Sequence, residues 1–62
     1  MQNKIKILRA AKNMTQQELA EKVGVTRQTV IAIEKNKYVP SLTLAIKIAR
    51  EFGMKVEEVF DA

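Results

Sequence analysis

The segment Arg27-Gln28-Thr29, followed by Ile31, combines side chains that can pair with the edges of nucleic-acid bases. A guanidinium group can donate two parallel hydrogen bonds to guanine, and a glutamine amide can pair in a similar way with adenine. An alkyl side chain such as that of Ile31 fits against the methyl group of thymine. The segment contains no acidic residue, although the dipole at the start of a helix favours one. This absence indicates a surface that must approach phosphate groups.

Two short helices between Thr15 and Lys35 are predicted to carry this segment. Thr15 and Glu18 have the spacing of a capping box, and Gly24 can adopt the left-handed conformation that ends a helix. Thr26 is then placed to start the second helix at once. At about 100° per residue, Val30 and Ile33 form its buried side. The pattern therefore predicts a helix-turn-helix in which Arg27, Gln28, Thr29 and Ile31 face outward.

Length and composition limit the other possibilities. The chain has 62 residues, a formal net charge of +4, and neither cysteine nor histidine. We expect a single domain spanning residues 1–62 whose stability comes from packing and helix caps, without disulfides or the usual zinc sites. We expect no cofactor, no metal site and no small-molecule ligand. The basic charge alone is only a weak indication of a nucleic-acid partner.

Further sequence features argue against a membrane protein and against an enzyme. No apolar run is long enough to span a bilayer, and no signal-peptide pattern is present, so we expect a cytoplasmic protein. The carboxylates of Glu57, Glu58 and Asp61 are interpreted as a solvated helix face and not as an acid–base pair. Four of the seven acidic residues lie at or beyond Glu51, which predicts a molecule with one positive end and one more acidic end.

Three more helices are predicted outside the motif, giving an all-α fold. The first runs from about Lys4 to Lys12, with Ile5, Leu8 and Ala11 facing inward, and residues 1–4 form a short lead-in. Another runs from Leu42 to Phe52, capped by Ser41 and ended by Gly53. The last runs from Lys55 to about Phe60, although Met54 is a poor N-cap and leaves its start open.

The string TQxELAxxVGVTRQTVxxIEKNKYxPS closely resembles the phage-repressor/Cro (XRE-type) helix-turn-helix family, especially its very short members. The resemblance runs from Ile5 to Phe60 and is most specific at Gln16 and at Arg27-Gln28-Thr29. It implies a compact five-helix lambda-repressor-like DNA-binding domain, with the helix-turn-helix formed by helices 2 and 3. It also implies a sequence-specific regulator of transcription, most often a repressor, that places helix 3 in the major groove of double-stranded DNA.

The resemblance also implies roles for individual residues. Arg9 and Glu34 match positions that form an ion pair between helices; two independent surface charges are the alternative. Thr29 is expected at either a base or a phosphate, and a solvated loop remains the alternative for the residues after helix 3. The expected phosphate contacts are Gln16, Thr26, Lys35, Asn36, Lys37 and Tyr38.

A two-fold dimer on an inverted-repeat site is the expected assembly, because one small module buries little DNA surface. The alternative is that the same apolar residues only close the core of the monomer. A rival function is a protein-interaction module with the same fold that does not read DNA. The residues expected at the dimer interface are Leu44, Ile48, Met54, Val56, Val59 and Phe60.

Overall fold

The structure is a computed structural model that describes residues 2–61. Five helices account for most of these residues, as predicted, but the two chain ends add a short strand each. The elements are β1 (Gln2–Asn3), α1 (Ile5–Ala11), α2 (Gln16–Val23), α3 (Arg27–Glu34), α4 (Leu42–Glu51), α5 (Val56–Val59) and β2 (Phe60–Asp61).

Each of the first four helices is followed, one or two residues beyond its end, by a residue with positive φ. These residues are Asn13 (53°), Gly24 (77°), Asn36 (60°) and Gly53 (64°). Glycine and asparagine tolerate this left-handed conformation, which turns the next backbone N–H back toward the last carbonyls of the helix. After α3, for example, the N–H of Lys37 donates to the carbonyl of Ala32 at 2.8 Å. The chain therefore reverses within a few residues, and short helices can pack around one core.

The starts of three helices are capped by hydroxyl side chains. Thr15, Thr26 and Ser41 each accept a hydrogen bond from a backbone N–H in the first turn of α2, α3 and α4, respectively. The start of α5, for which the sequence offered only Met54 as a poor N-cap, has no hydroxyl cap. Here Oε1 of Glu58 accepts from the N–H of Lys55 at 2.7 Å. Lys55 is therefore the N-cap residue, and the first-turn carboxylate of Glu58 binds the backbone N–H of Lys55, as in one half of a capping box.

The core lies between all five helices and, among residues 2–61, contains only apolar side chains. Prediction and structure differ at Ala11, which is exposed because it lies in the last turn of α1, just before the chain reverses at Asn13. Leu8 is only half-buried, so Ile5 is the main contribution of α1 to the core. The buried apolar residues are Ile5, Leu19, Ala20, Val23, Val30, Ile33, Ala45, Ile48, Ala49, Phe52, Val59 and Phe60.

The chain ends pair as a two-stranded antiparallel ribbon, which the sequence analysis did not predict. Gln2 lies opposite Asp61 and Asn3 lies opposite Phe60, and the N–H of Lys4 donates to the carbonyl of Val59 at 2.9 Å. Residues 2–3 are therefore part of the fold and not a loose lead-in; Met1 lies outside the described residues. The last helix ends at Val59, one residue early, because Phe60 takes an extended conformation to join the ribbon.

Among residues 2–61, the structure contains no helix of the length and apolar character that crossing a membrane requires.

Candidate nucleic-acid interface

The start of α3 is held by two threonines. The hydroxyl of Thr26 accepts from the N–H of Thr29 at 3.2 Å, and the two hydroxyl oxygens lie 3.0 Å apart. The first turn contains no acidic residue. Both threonines were predicted to touch DNA; the structure places them side by side at the N-terminal end of α3, where they also order its first turn.

The outer face of α3 matches the predicted face. Val30 and Ile33 are about 1% exposed, so they fix the orientation of the helix against the core. Arg27 and Gln28 are exposed to solvent, and Ile31 is half-buried. The two side chains that can pair with bases therefore project from a helix whose opposite side is fully packed.

The starts of α2 and α3 border an open cleft of about 560 Å³. The guanidinium group of Arg27 and the positive end of the α2 dipole contribute positive charge to it, whereas the charge of Arg9 is compensated by Glu34. The other lining residues are Thr15, Gln16 and Gln17. A cationic cleft at a helix start is suited to an anionic group such as a phosphate.

A capping box orders the end of α2 that faces this cleft. The N–H of Glu18 donates to the hydroxyl of Thr15 at 3.0 Å, and the N–H of Thr15 donates to the Glu18 carboxylate at 2.8 Å. The hydrogen bonds from Thr15 lower the pKa of the Glu18 carboxyl group below its usual value. Glu18 is thus held in its charged form at the positive end of the helix dipole.

The structure places Arg9 and Glu34 in the ion pair that the resemblance implied. Nε of Arg9 lies 2.6 Å from one carboxylate oxygen, and Nη2 lies 3.2 Å from the other. The two side chains are 13% and 7% exposed, so the pair is largely shielded from water. Nη1 of Arg9 also donates to the carbonyl of Met14 at 2.9 Å, which ties the pair to the turn before α2.

Gln16 also contacts Glu34, the carboxylate of the ion pair, and the sequence analysis did not predict this contact. Its Nε2 donates to Oε1 of Glu34 at 3.1 Å. The amide of Gln16 is therefore oriented by Glu34, with part of its hydrogen-bonding capacity used inside the protein. No local sequence signal could reveal this contact, because the partners are 18 positions apart.

The loop after α3 presents the other predicted phosphate contacts. Lys35, Asn36, Lys37 and Tyr38 are all exposed. Asn36 has the left-handed conformation predicted for it, with a φ of 60°. These residues follow α3 directly in the chain and present two lysine charges to solvent.

The predicted dimer residues do not form one surface. Ile48, Val59 and Phe60 are 0%, 1% and 7% exposed, respectively, and belong to the core of the monomer. They were predicted at an interface because a wide apolar arc on α4 and a short apolar α5 do not reveal which partner covers them. Leu44 and Val56 are half-buried against the core, whereas Met54 is 38% exposed.

The fold and this surface define a small helix-turn-helix protein, in which α2 and α3 form the motif. A family model described as Helix-turn-helix matches residues 5–59, and the chain belongs to that family. It is a transcriptional regulator with a helix-turn-helix DNA-binding domain, and its XRE-type resemblance to phage repressors is confirmed.

Known relatives and solved structures agree with this assignment. The HTH-type transcriptional regulator MJ0272 of Methanocaldococcus jannaschii is 62% identical over 60 residues, covering 97% of this chain and 91% of its own. The phage CTXphi transcriptional repressor RstR of Vibrio cholerae is 33% identical over 57 residues, covering 92% of this chain and 51% of its own. The crystal structure of the restriction-modification controller protein C.AhdI from Aeromonas hydrophila superimposes with a TM-score of 0.82 at 30% identity, covering 90% and 85% of the two chains.

Proposed function

We propose that this regulator is a repressor that binds an inverted-repeat operator as a homodimer, with α3 in the major groove of each half-site. The observation that carries the proposal is the outer face of α3. Arg27 and Gln28 project from it into solvent, its first turn has no acid, and its opposite side is packed by Val30 and Ile33. A rigid helix with such a face can enter the groove without rearranging the core.

Base recognition is assigned to the first two turns of α3. Arg27 and Gln28 are proposed to contact base edges by paired hydrogen bonds, and Ile31 to contact a thymine methyl group. Thr29 is half-buried and shares a hydrogen bond with Thr26, so its exposed atoms are available only to a group that approaches the helix start closely. We assign Thr29 to a base at the edge of the contact and Thr26 to the neighbouring phosphate.

Phosphate contacts are assigned to two groups of residues on either side of α3. On one side, the cleft between α2 and α3 holds one phosphate through Gln16, supported by the positive charge of Arg27 and the N-terminal end of α2. On the other side, the exposed loop after α3 holds the next phosphates through Lys35, Asn36, Lys37 and Tyr38. Phosphate contacts on both sides would fix the depth and angle of the helix, and base contacts would then select the sequence.

The dimer is assigned to the exposed apolar surface around Met54. Because Ile48, Val59 and Phe60 are buried in the monomer, the interface is reduced to the outer edges of Leu44 and Val56 together with Met54. A two-fold dimer would place two α3 helices about 34 Å apart, one turn of DNA. Each protomer measures 24 × 21 × 18 Å, so two protomers side by side can span that distance.

Repression is favoured over activation by the sequence likeness to RstR, whose name describes it as a transcriptional repressor. A small protein seated on an operator can block polymerase by occupying the DNA. The rival function, a protein-interaction module with this fold, is disfavoured by the exposed Arg27 and Gln28, which suit base edges better than a protein surface.

Selection of bound duplexes from a random pool, followed by gel-shift titration at several salt concentrations, tests this function. The expected result is an inverted repeat with half-sites one DNA turn apart and an affinity that falls steeply as salt rises. A protein without salt-dependent affinity for any duplex would contradict DNA recognition. Selected sites that contain only one half-site would instead contradict the homodimer.

A further inference from the structure

Asn3 connects the chain ends to the far end of α3. The side chain of this strand residue donates to two acceptors that lie 30 and 33 positions later in the sequence. Its Nδ2 donates to the backbone carbonyl of Ile33 at 2.9 Å and to Oδ1 of Asn36 at 3.3 Å. Its own Oδ1 accepts from the N–H of Ile5 at 3.2 Å, at the start of α1.

The contacts of Asn3 fall on the part of α3 that leads into the DNA-contacting loop. The carbonyl of Ile33 also accepts from the N–H of Asn36 at 3.0 Å, one of the bonds that end the helix. Because Oδ1 of Asn36 faces Asn3, the NH₂ group lies on the other branch of this exposed amide and can donate to a phosphate. Asn3 thus orders both the helix end and the side chain that follows it.

The backbone of Asn3 is itself held in place. It lies opposite the buried Phe60 in the terminal ribbon, and the next residue, Lys4, bonds to the carbonyl of Val59. The amide of Asn3 therefore projects from a support that is built by both ends of the chain. A movement of that support would be transmitted to the end of α3 through two hydrogen bonds.

We propose that Asn3 is a positioning residue for DNA binding: through Ile33 and Asn36 it sets the end of α3 and the loop with Lys35 and Lys37. This inference rests on the proposed function and adds to it a residue that does not itself touch DNA. Its removal weakens the phosphate contacts of the loop and leaves the base preference of Arg27 and Gln28 unchanged.

The test compares Asn3→Asp with the wild-type protein. An aspartate keeps the oxygen that accepts from the N–H of Ile5 but removes both hydrogen bonds to α3 and its loop. Gln2→Glu, which adds the same negative charge at an exposed position of the same strand, is the matched control. Asn3→Ser is the second variant if the aspartate prevents folding, because a single hydroxyl hydrogen cannot serve both acceptors.

Two measurements are made on each variant. Hydrogen exchange of the free protein follows the backbone N–H groups of Asn36 and Lys37, and titration with the selected duplex gives the affinity. Loss of one or two hydrogen bonds is expected to raise exchange at these groups and to reduce affinity by about three- to tenfold. Exchange within α2 and α4, and the sequence preference, should stay as in the wild type.

Three outcomes overturn the proposal. Unchanged exchange at Asn36 and Lys37 in Asn3→Asp would show that the bonds of Asn3 do not hold the end of α3. Faster exchange with unchanged DNA affinity would show that this end does not govern binding. A wild-type protein that binds no duplex would overturn the proposed function as well, and the exchange measurement would still report whether Asn3 orders the helix end.

Discussion

Glu34, at the end of α3, lies 2.6 Å from Nε of Arg9 in α1, and the two residues are separated by 25 positions in the chain. Both side chains are largely buried. The same carboxylate orients Gln16 at the start of α2. One ion pair therefore joins the helix proposed to read bases to the cleft proposed to hold a phosphate.

Replacing Arg9 by Ala should lower the free energy of unfolding by about 3 kcal/mol, because it leaves the buried carboxylate of Glu34 without its counter-charge. Denaturant titration measures this change. Lys6→Ala, an exposed charge on the same helix, is the control and should change stability by less than about 0.5 kcal/mol. An Arg9→Ala protein as stable as the wild type would show that the pair is dispensable. DNA affinity, compared where both proteins are folded, should change less than stability.

Replacing Gln28 by Ala should cost about 1–3 kcal/mol of binding free energy and relax selectivity at one or two base pairs. The amide of Gln28 is exposed on the outer face of α3, where it can reach a base edge. Because the side chain contributes nothing to the core, its removal should leave folding unchanged. Repeating the duplex selection with the variant measures the effect. Gln2→Ala in β1, also an exposed glutamine but outside the cleft, serves as the control and should retain the wild-type preference. An unchanged preference in Gln28→Ala would remove this residue from base recognition.

Replacing Lys37 by Gln should weaken binding to all duplexes alike and reduce the slope of log affinity against log salt by about 1, because one phosphate contact is lost. Titrations at four or more salt concentrations provide the slope. Lys6→Gln removes the same charge from an exposed position on α1 to which no DNA contact is assigned. Equal slopes for the two variants would mean that Lys37 acts only through the net charge of the protein.

Acidification should remove the contribution of the capping box to stability. The folded-state pKa of Glu18 is lowered by its hydrogen bonds from Thr15, so its stabilising effect is present above the unfolded-state value of 4.5. It is lost as pH falls through the lower folded-state value. The difference in melting temperature between wild type and Glu18→Gln should therefore be largest near neutral pH and shrink below pH 4.5. A difference that is constant with pH would contradict the role of the charged carboxylate.

Substitutions at two apolar residues should distinguish a core residue, which affects stability, from a residue of the proposed dimer surface, which affects self-association. Ile48→Ala should destabilise the protein by about 2–5 kcal/mol, since it opens a cavity at a fully buried site.

Met54→Glu should leave the free energy of unfolding of the monomer nearly unchanged but reduce self-association, because Met54 is partly exposed. Sedimentation equilibrium measures the association. A Met54→Glu protein that associates as strongly as the wild type would place the interface elsewhere.

The sequence predicted most of the local structure correctly because its signals are short-range. The capping box of Thr15 and Glu18, the cap of Thr26 and the left-handed Gly24 and Asn36 each act within a few residues. The terminal ribbon escaped prediction for the opposite reason. Two-residue strands have no detectable alternation, and their pairing depends on where the helices bring the chain ends.

By itself, the sequence determined the five helices, the ends of the first four and the outward face of α3, since helical periodicity and capping are local properties of the chain. Only the tertiary structure decided that Glu34 orients Gln16, that Asn3 reaches the end of α3, and that Ile48 belongs to the core of the monomer. These relationships join residues that are distant in sequence or depend on which neighbouring element covers a surface, and both are set by how the five helices pack.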